Sequence, residues 1–346
     1  MRVVITGGTG FLGTALAEEL LRRGRLAGGG ESPEPIDEIV LADASQPREG
    51  SPADPTVSFV QGDLSDDRFV ADLFGGSDAL TVFHLAAVVS AQAEQDFDLA
   101  LRVNLESVRG ILEALRHRAG PARFVSTSSV AVFGSDIGEI GREDAPLRPE
   151  STYGMTKAVL ELLTSEYSRK GYLDGRIARL PTVIIRPGAA NAAASSAASA
   201  VFREPLAGRD YVLPLPETTT IAVAGVDSVI AGILALHDLP SERLGLNRIV
   251  TLPSRSVSFA DMIATLRAES DGRRLGRITV EPDAAIRRIV ESWPAVLESR
   301  RAEQLGIPDA DELPVIVRQY LARTGSPSAP TTRTPSTSTS GPHGAI

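Results

Sequence analysis

The chain has 346 residues, enough for one large domain and a smaller companion. Its 42% hydrophobic and 23% charged residues suit a globular protein in water, and a net charge of −9 argues against general attraction to nucleic acid or anionic membranes. Cysteine is missing, which excludes disulfides, thiol catalysis and cysteine-held metals, and the histidines at 84, 117, 237 and 343 show no metal-ligand spacing. No apolar stretch reaches membrane-spanning length and no leader pattern precedes the first strand, so a cytoplasmic location is expected.

Residues 3–5 are a β-branched apolar run of the kind a strand buried on both faces requires. The turn TGGTGFLG follows at 6–13, and residues 14–23 read as a helix with Leu12, Ala15, Leu16 and Leu20 on one side. Strand, glycine turn and helix in that order make a dinucleotide site credible. Glycines permit the tight turn and a close backbone approach, while the helix N-terminus offers N–H groups and partial positive charge to a pyrophosphate. Gly7, Gly10 and Gly13 are spaced by three, unlike the GxGxxG of ordinary dehydrogenases. Residues 25–35, rich in Gly, Pro and Glu, read as an exposed loop. Residues 38–43 (EIVLAD) form a second strand ending on Asp43, where a carboxylate accepts hydrogen bonds from ribose hydroxyls and repels a 2′-phosphate. Gly13 to Asp43 is 30 residues, against a usual interval of about 20, and the loop accounts for the excess. Asp43 therefore favours NAD over NADP, with Arg48 nearby as a counterweight.

A third strand at 57–62 leads into Asp63 and Leu64, and a fourth at 79–85 runs into Ala86 and Ala87. An acid after the third strand suits the adenine amino group; small residues after the fourth let a cofactor pass closely. His84, inside that apolar strand, reads as a hydrogen-bonded core histidine rather than a catalyst. Residues 96–118 form a long amphipathic helix carrying Asn104, and the strand at 123–127 leads into Ser128 and Ser129. This alternation predicts an α/β fold, a Rossmann-type doubly wound parallel sheet. The helix at 151–170 follows, then an apolar run at 176–185 whose Pro181 belongs at the strand's end, over the cofactor. Residues 188–200 are small and polar, unlike a core helix. Shorter elements are expected near 221, at 226–237, at 248–252, and as helices from 259 and 313. Residues 1–185 are read as an NAD-binding domain and 186–323 as a smaller C-terminal substrate lobe interleaved with the sheet's end. The Ser/Thr/Pro-rich stretch 324–346 cannot bury a core and should be disordered.

Tyr153 and Lys157 lie four residues apart and so emerge on one helical face. Lys157 is conspicuous because lysine occurs only at 157 and 170, against 33 arginines. A tyrosine is a poor base at its free pKa of about 10. A nearby ammonium and a nicotinamide's positive charge favour the phenolate, and a serine hydroxyl can orient a substrate alcohol. That set suits hydride transfer between a secondary alcohol and NAD.

The stretches TGGTGFLG at 6–13, Asp63-Leu64, HLAA at 84–87, STSSVAVFG at 126–134 and Tyr153 to Lys157 together resemble the extended short-chain dehydrogenases/reductases, the NAD-dependent epimerase/dehydratase group. The resemblance implies Tyr153 as acid/base, Lys157 as its electrostatic partner and ribose ligand, and Ser129 (or its neighbour Ser128) as the substrate-orienting hydroxyl. It implies NAD contacts from Gly7, Thr9, Gly10, Phe11, Leu12, Gly13, Asp43, Asp63, Leu64, Leu85, Ala86, Ala87 and Asn104, with Pro181 and Val183 near the nicotinamide. The segment at 178–208 resembles a branch whose members oxidise a four-carbon sugar acid of the D-erythronate type at C2 to the 2-oxo acid. Substrate contacts are then expected from Ser90, Ser129, Tyr153, Arg186, Asn191 and Ser195. Arginine suits a carboxylate because its planar fork meets both oxygens, and either Arg186 or Arg203 could supply it. The partners expected are a small sugar acid and a second copy of the chain, as a homodimer, with neither nucleic acid nor membrane. Two rivals remain: a nucleotide-sugar epimerase sharing the same Ser/Tyr/Lys set, which needs a roomier lobe, and a non-catalytic NAD sensor on the same fold, which would need the glycine turn but not Tyr153 and Lys157.

Overall fold

The computed structural model describes residues 1–28, 33–47, 52, 54–76, 78–188 and 196–324. Seven strands make the main sheet: β1 Arg2–Thr6, β2 Glu38–Asp43, β3 Val57–Gln61, β4 Leu80–His84, β5 Ala122–Ser129, β6 Asp174–Leu180 and β7 Ile249–Thr251. They lie in the order β7-β6-β5-β4-β1-β2-β3, and every neighbouring pair is parallel. The strand order reverses between β1 and β4, and in doubly wound sheets the ligand crevice opens at that point, beyond the strands' carboxyl ends. The fold is therefore the predicted Rossmann type.

Alternating strand positions feed two apolar layers. Val3 and Ile5 pack with Leu16 and Leu20 of the Phe11–Arg23 helix and Ile233 and Leu234 of the Val226–Asp238 helix. Val4, Val82 and Phe124 face the other way, against Ile111, Leu112 and Leu160. A third cluster lies outside the sheet: Ile184, Val201, Phe202, Ile221, Phe259, Met262 and Ile316. It surrounds a three-stranded sheet of Thr182–Ile184, Thr220–Gly225 and Arg255–Ser258. Pro181 separates β6 from Thr182–Ile184, so one continuous apolar run serves two sheets, as a residue lacking a ladder N–H dictates.

Three expectations need correction. Residues 25–35 are not simply loop: Arg25–Ala27 and Pro33–Pro35 pair as an antiparallel ribbon, and Leu26 is 1% exposed because it docks into the first core cluster. The predicted helix at 96–118 is Phe97–Leu101 and Ser107–Arg116 joined through a π-helical turn, Arg102–Glu106, and a short helix Ser90–Gln95 precedes it. Small residues at 197–200 begin a buried helix, Ala197–Leu206. Its alanines are small because the helix sits tightly in the third cluster, so composition that reads as a loop is here close packing. Residues 189–195 and the tail from 325, including Asn191, Ser195 and most of the predicted disordered segment, lie outside the described residues.

Candidate active site

The glycine turn shows what its spacing is for. Gly7 has φ +68°, and a Cβ there would come within 2.7 Å of the Ala86 nitrogen. A Cβ on Gly13 would lie 2.3 Å from the Gly7 carbonyl oxygen, so the helix can begin only where residue 13 has no side chain. Gly10 is the N-cap of the Phe11–Arg23 helix, and no side chain caps that end. Its first-turn N–H groups therefore point into the crevice, as a pyrophosphate requires. At the carboxyl end of β2, Asp43 accepts the Thr9 N–H (3.2 Å) and the Ser45 N–H (3.0 Å) and so stands beside the turn. Asp63 Oδ1 accepts both the backbone and the hydroxyl of Ser65 at 2.8 Å, bonds that lower its pKa. The cradle, the uncapped helix end and the strand-end carboxylate fit a dinucleotide.

Beyond the turn, one cleft is lined by Leu12, Leu85, Ala87, Val89, Ser90, Thr127, Ser128, Ser129, Val130, Ala131, Tyr153, Lys157, Leu180, Pro181, Thr182, Val183, Arg186 and Trp293. The structure thus brings together Ser129, Tyr153 and Lys157 with Leu12, Leu85, Ala87, Ser90, Pro181, Val183 and Arg186. Ala86 abuts Gly7 instead, and Leu64 packs in the second core layer. Asn104 stands behind the wall: its Oδ1 accepts the Val88 N–H (2.7 Å), and its Nδ2 donates to the Val88 carbonyl (2.9 Å) and to Thr156 (3.2 Å). It shapes the Val88–Ser90 rim rather than facing the cleft.

Ser151 accepts the Gly154 N–H (3.0 Å) and starts the Thr152–Arg169 helix, which carries Tyr153 and Lys157. Lys157 is 3% exposed, donates from Nζ to the Thr127 carbonyl (2.8 Å), and lies 5.7 Å from the centre of the Tyr153 ring. Burial pushes its pKa down to about 8, against the charge of Glu161. Burial also raises the Tyr153 phenol, while a hydrogen bond with Ser129 and the charge of Arg186 pull the other way. The cation that favours the phenolate is Arg186 rather than Lys157, and in the protein alone desolvation outweighs it. Ser129, not Ser128, meets the tyrosine; the Ser128 hydroxyl is buried and has no hydrogen-bond partner among the described residues.

Burial lowers Arg186 too, with the Tyr153 phenolate favouring its charge, and its backbone is tied to the third cluster: its N–H donates to Ser199 (3.1 Å) and its carbonyl accepts from Arg203 (2.9 Å). Arg203, 5% exposed, is committed to Glu204 and that carbonyl, so Arg186 is the arginine on the cleft. His84 accepts or donates at Nδ1 with Thr6 (2.7 Å), while its Nε2 has no partner among the described residues, so it is only half satisfied. Burial, then the charge of Lys157, pushes it down to about 3, and it is neutral as a core histidine should be.

Val89 and Trp293 were not expected from the sequence, whereas Thr182 lies within the 180–183 stretch expected near the nicotinamide. Trp293 is the single tryptophan of the chain, a signal that rarity alone could have offered. It reaches the cleft from the far end of the sequence because Val296–Leu297 pairs with Ile140–Gly141. Among the described residues, no group of acids and histidines could hold a metal, and no helix is long and apolar enough to cross a membrane.

The chain is 42% identical over 94% of its length to D-erythronate dehydrogenase of Cupriavidus necator, covering 99% of that protein. It is 37% identical over 93% of its length to the enzyme of the same name from Haemophilus influenzae, again covering 99%. A solved structure described as the nucleoside-diphosphate-sugar epimerase from Agrobacterium tumefaciens superposes with a TM-score of 0.83 at 33% identity, covering 92% of this chain and 93% of that one. Residues 3–238 match the NAD dependent epimerase/dehydratase family, and the chain belongs to that family, with NAD as its cofactor.

Proposed function

We propose that the protein is a dehydrogenase that oxidises a four-carbon sugar acid, D-erythronate or a close analogue, at C2 to the 2-oxo acid. The observation carrying this reading is the meeting of Ser129, Tyr153 and Lys157 with Arg186 and Trp293 around one cleft. The two relatives of that name, matched almost end to end, support the choice of substrate. Bound NAD supplies the hydride acceptor for the C2 hydrogen. Ser129 holds the C2 hydroxyl by a hydrogen bond, and Tyr153 Oη removes its proton as the carbonyl forms. Lys157, held by the Thr127 carbonyl, stabilises the phenolate, and the proton on Tyr153 then passes to water. Arg186 takes the substrate carboxylate, which sets C2 over the base, and the Trp293 indole closes the cleft against longer substrates. Asp43, Asp63, Leu85 and Lys157 hold the dinucleotide, and residues 186–323 act as the substrate lobe.

Exposed Phe97 (53%) and Leu162 (68%), on the Phe97–Leu101 and Thr152–Arg169 helices, support a homodimer as the working form. A second reading, nucleotide-sugar epimerase, is favoured by the description of the solved structure at 33% identity. The deciding experiment follows NADH formation with purified protein and a panel of C4 sugar acids, with NADP and UDP-sugars as comparison arms. NAD reduction by D-erythronate is expected. Silence there with interconversion of a UDP-sugar overturns the substrate and leaves the fold and the Tyr153 site standing.

A further inference from the structure

We infer that Glu161, through its ion pair with Arg179, positions Lys157 and keeps it an ammonium beneath Tyr153. The catalytic consequence rests on the dehydrogenase reading; the electrostatic one does not. Tyr153, Lys157 and Glu161 follow one another at intervals of four residues and so share one face of the Thr152–Arg169 helix. Glu161 is fully buried and Arg179 is 2% exposed, and they meet fork to fork: Nε to Oε1 at 2.9 Å and a terminal nitrogen to Oε2 at 2.8 Å.

Stability does not explain such a pair. Replacing a buried ion pair with apolar residues of similar volume is often neutral or stabilising, because desolving two charges offsets their attraction. Placement explains it better. Arg179 lies on β6 just before Leu180 and Pro181, which line the cleft. Its guanidinium carbon is 4.9 Å from the centre of the Phe133 ring, in the stretch that follows Ser129. The pair thus ties the tyrosine–lysine helix to the two segments carrying the rest of the site.

Lys157 needs an anion because burial favours its neutral form. The groups around it are His84 from β4, which is neutral; Tyr153 on its own helix; Arg186 on the far side of that tyrosine; and Arg179 from β6. Glu143 faces Arg179 and Arg301 rather than Lys157, and burial raises its carboxyl. Among the described residues, Glu161 is the anion whose field reaches Lys157. Without it, only the hydrogen bond to the Thr127 carbonyl opposes loss of the ammonium proton.

With only two lysines in the chain, the test is direct. Protein labelled with 13C at lysine gives one signal from exposed Lys170 and one from Lys157, each titrated by NMR in full-length protein. Glu161→Gln should lower the Lys157 midpoint by about one pH unit and leave Lys170 unmoved. Because this variant strands Arg179, the double variant Glu161→Leu with Arg179→Met serves as its folded counterpart and should shift the midpoint the same way but less, since a cation leaves with the anion. Glu161→Asp should return the midpoint most of the way. In turnover, kcat should fall about tenfold with KM little changed, and the rise of kcat with pH should move to higher pH. Folded variants that titrate Lys157 at the wild-type midpoint overturn the inference, whatever substrate the enzyme takes. A wild-type protein inert toward sugar acids overturns the functional reading alone, and the lysine titration still decides this one.

Discussion

Tyr153 and Lys157 meet the same obstacle from opposite sides: burial disfavours the phenolate of one and the ammonium of the other. A raised phenol pKa means the base is protonated at neutral pH, so kcat/KM for alcohol oxidation should climb as pH rises into the alkaline range. Tyr153→Phe should remove that climb, lower kcat by about 10²–10⁴-fold and leave NAD binding near normal; unchanged turnover removes the tyrosine from the chemistry. At the other end of the crevice, Asp43 organises Thr9 and Ser45. Charge-assisted bonds to a ribose diol contribute on the order of 1.5–3 kcal/mol, so Asp43→Ala should weaken NAD by roughly ten- to a hundredfold and NADP much less. An unaltered ratio of the two dissociation constants refutes its ribose role. These residues were legible because spacing and position along the chain specify them: four apart on a helix, or last in a strand. Arg186 was legible as one of two candidates, and packing chose between them. Trp293 was not, since nothing local links it to residues some 140 positions earlier; only the pairing of Val296–Leu297 with Ile140–Gly141 does.

Strands β1, β2 and β4 could be read from apolar, β-branched runs because a parallel sheet covered on both faces demands largely apolar sequence. Where packing and composition conflict, sequence fails. Leu26 makes a core element of a Gly/Pro stretch, and the alanines at 197–200 look like a loop but are a helix pressed into the third cluster. The π turn at Arg102–Glu106 is likewise silent in the hydrophobic pattern, which stays helical throughout. The Thr152–Arg169 helix offers a test of how closely such packing sets the site. A Cβ on Gly154 would lie 2.0 Å from the Ala131 carbonyl oxygen, a backbone atom that cannot step aside. Gly154→Ala must therefore push the helix away from the Ser129–Ala131 turn and separate Tyr153 from Ser129. Stability should fall by about 1–3 kcal/mol, and kcat should fall by more than that loss explains. Thermal melts beside kinetics below the melting range check this; normal kcat in a destabilised variant means the Ser129–Tyr153 contact tolerates the shift.

Across the whole molecule, the glycine turn, the tyrosine–lysine helix and the distal lobe converge on one crevice because the strand order reverses between β1 and β4. Polar groups are buried deeply on both sides of that sheet, and two of them tie stability to pH. His84 is pushed down to about 3, chiefly by burial and then by Lys157. His237 is pushed down to about 4 by burial, although its Nδ1 lies 2.8 Å from Asp238 and its Nε2 lies 3.1 Å from Thr81. Both are neutral in the folded state near neutrality, whereas an unfolded imidazole takes a proton near pH 6.5. Between those values the unfolded chain binds more protons, so stability falls as pH falls from about 6.5 and goes on falling until the folded pKa values are reached. Carboxylates held below their usual range lose their contribution later. In Asp174, for example, burial is outweighed by Arg176 and Arg123, so its effect begins only near the unfolded carboxylate range, around pH 4. Acidification from about pH 6.5 to 5 thus isolates the histidines and should cost on the order of 2 kcal/mol for each. Urea unfolding at the two pH values measures it. Equal unfolding free energies mean that the imidazoles gain their protons without leaving the core.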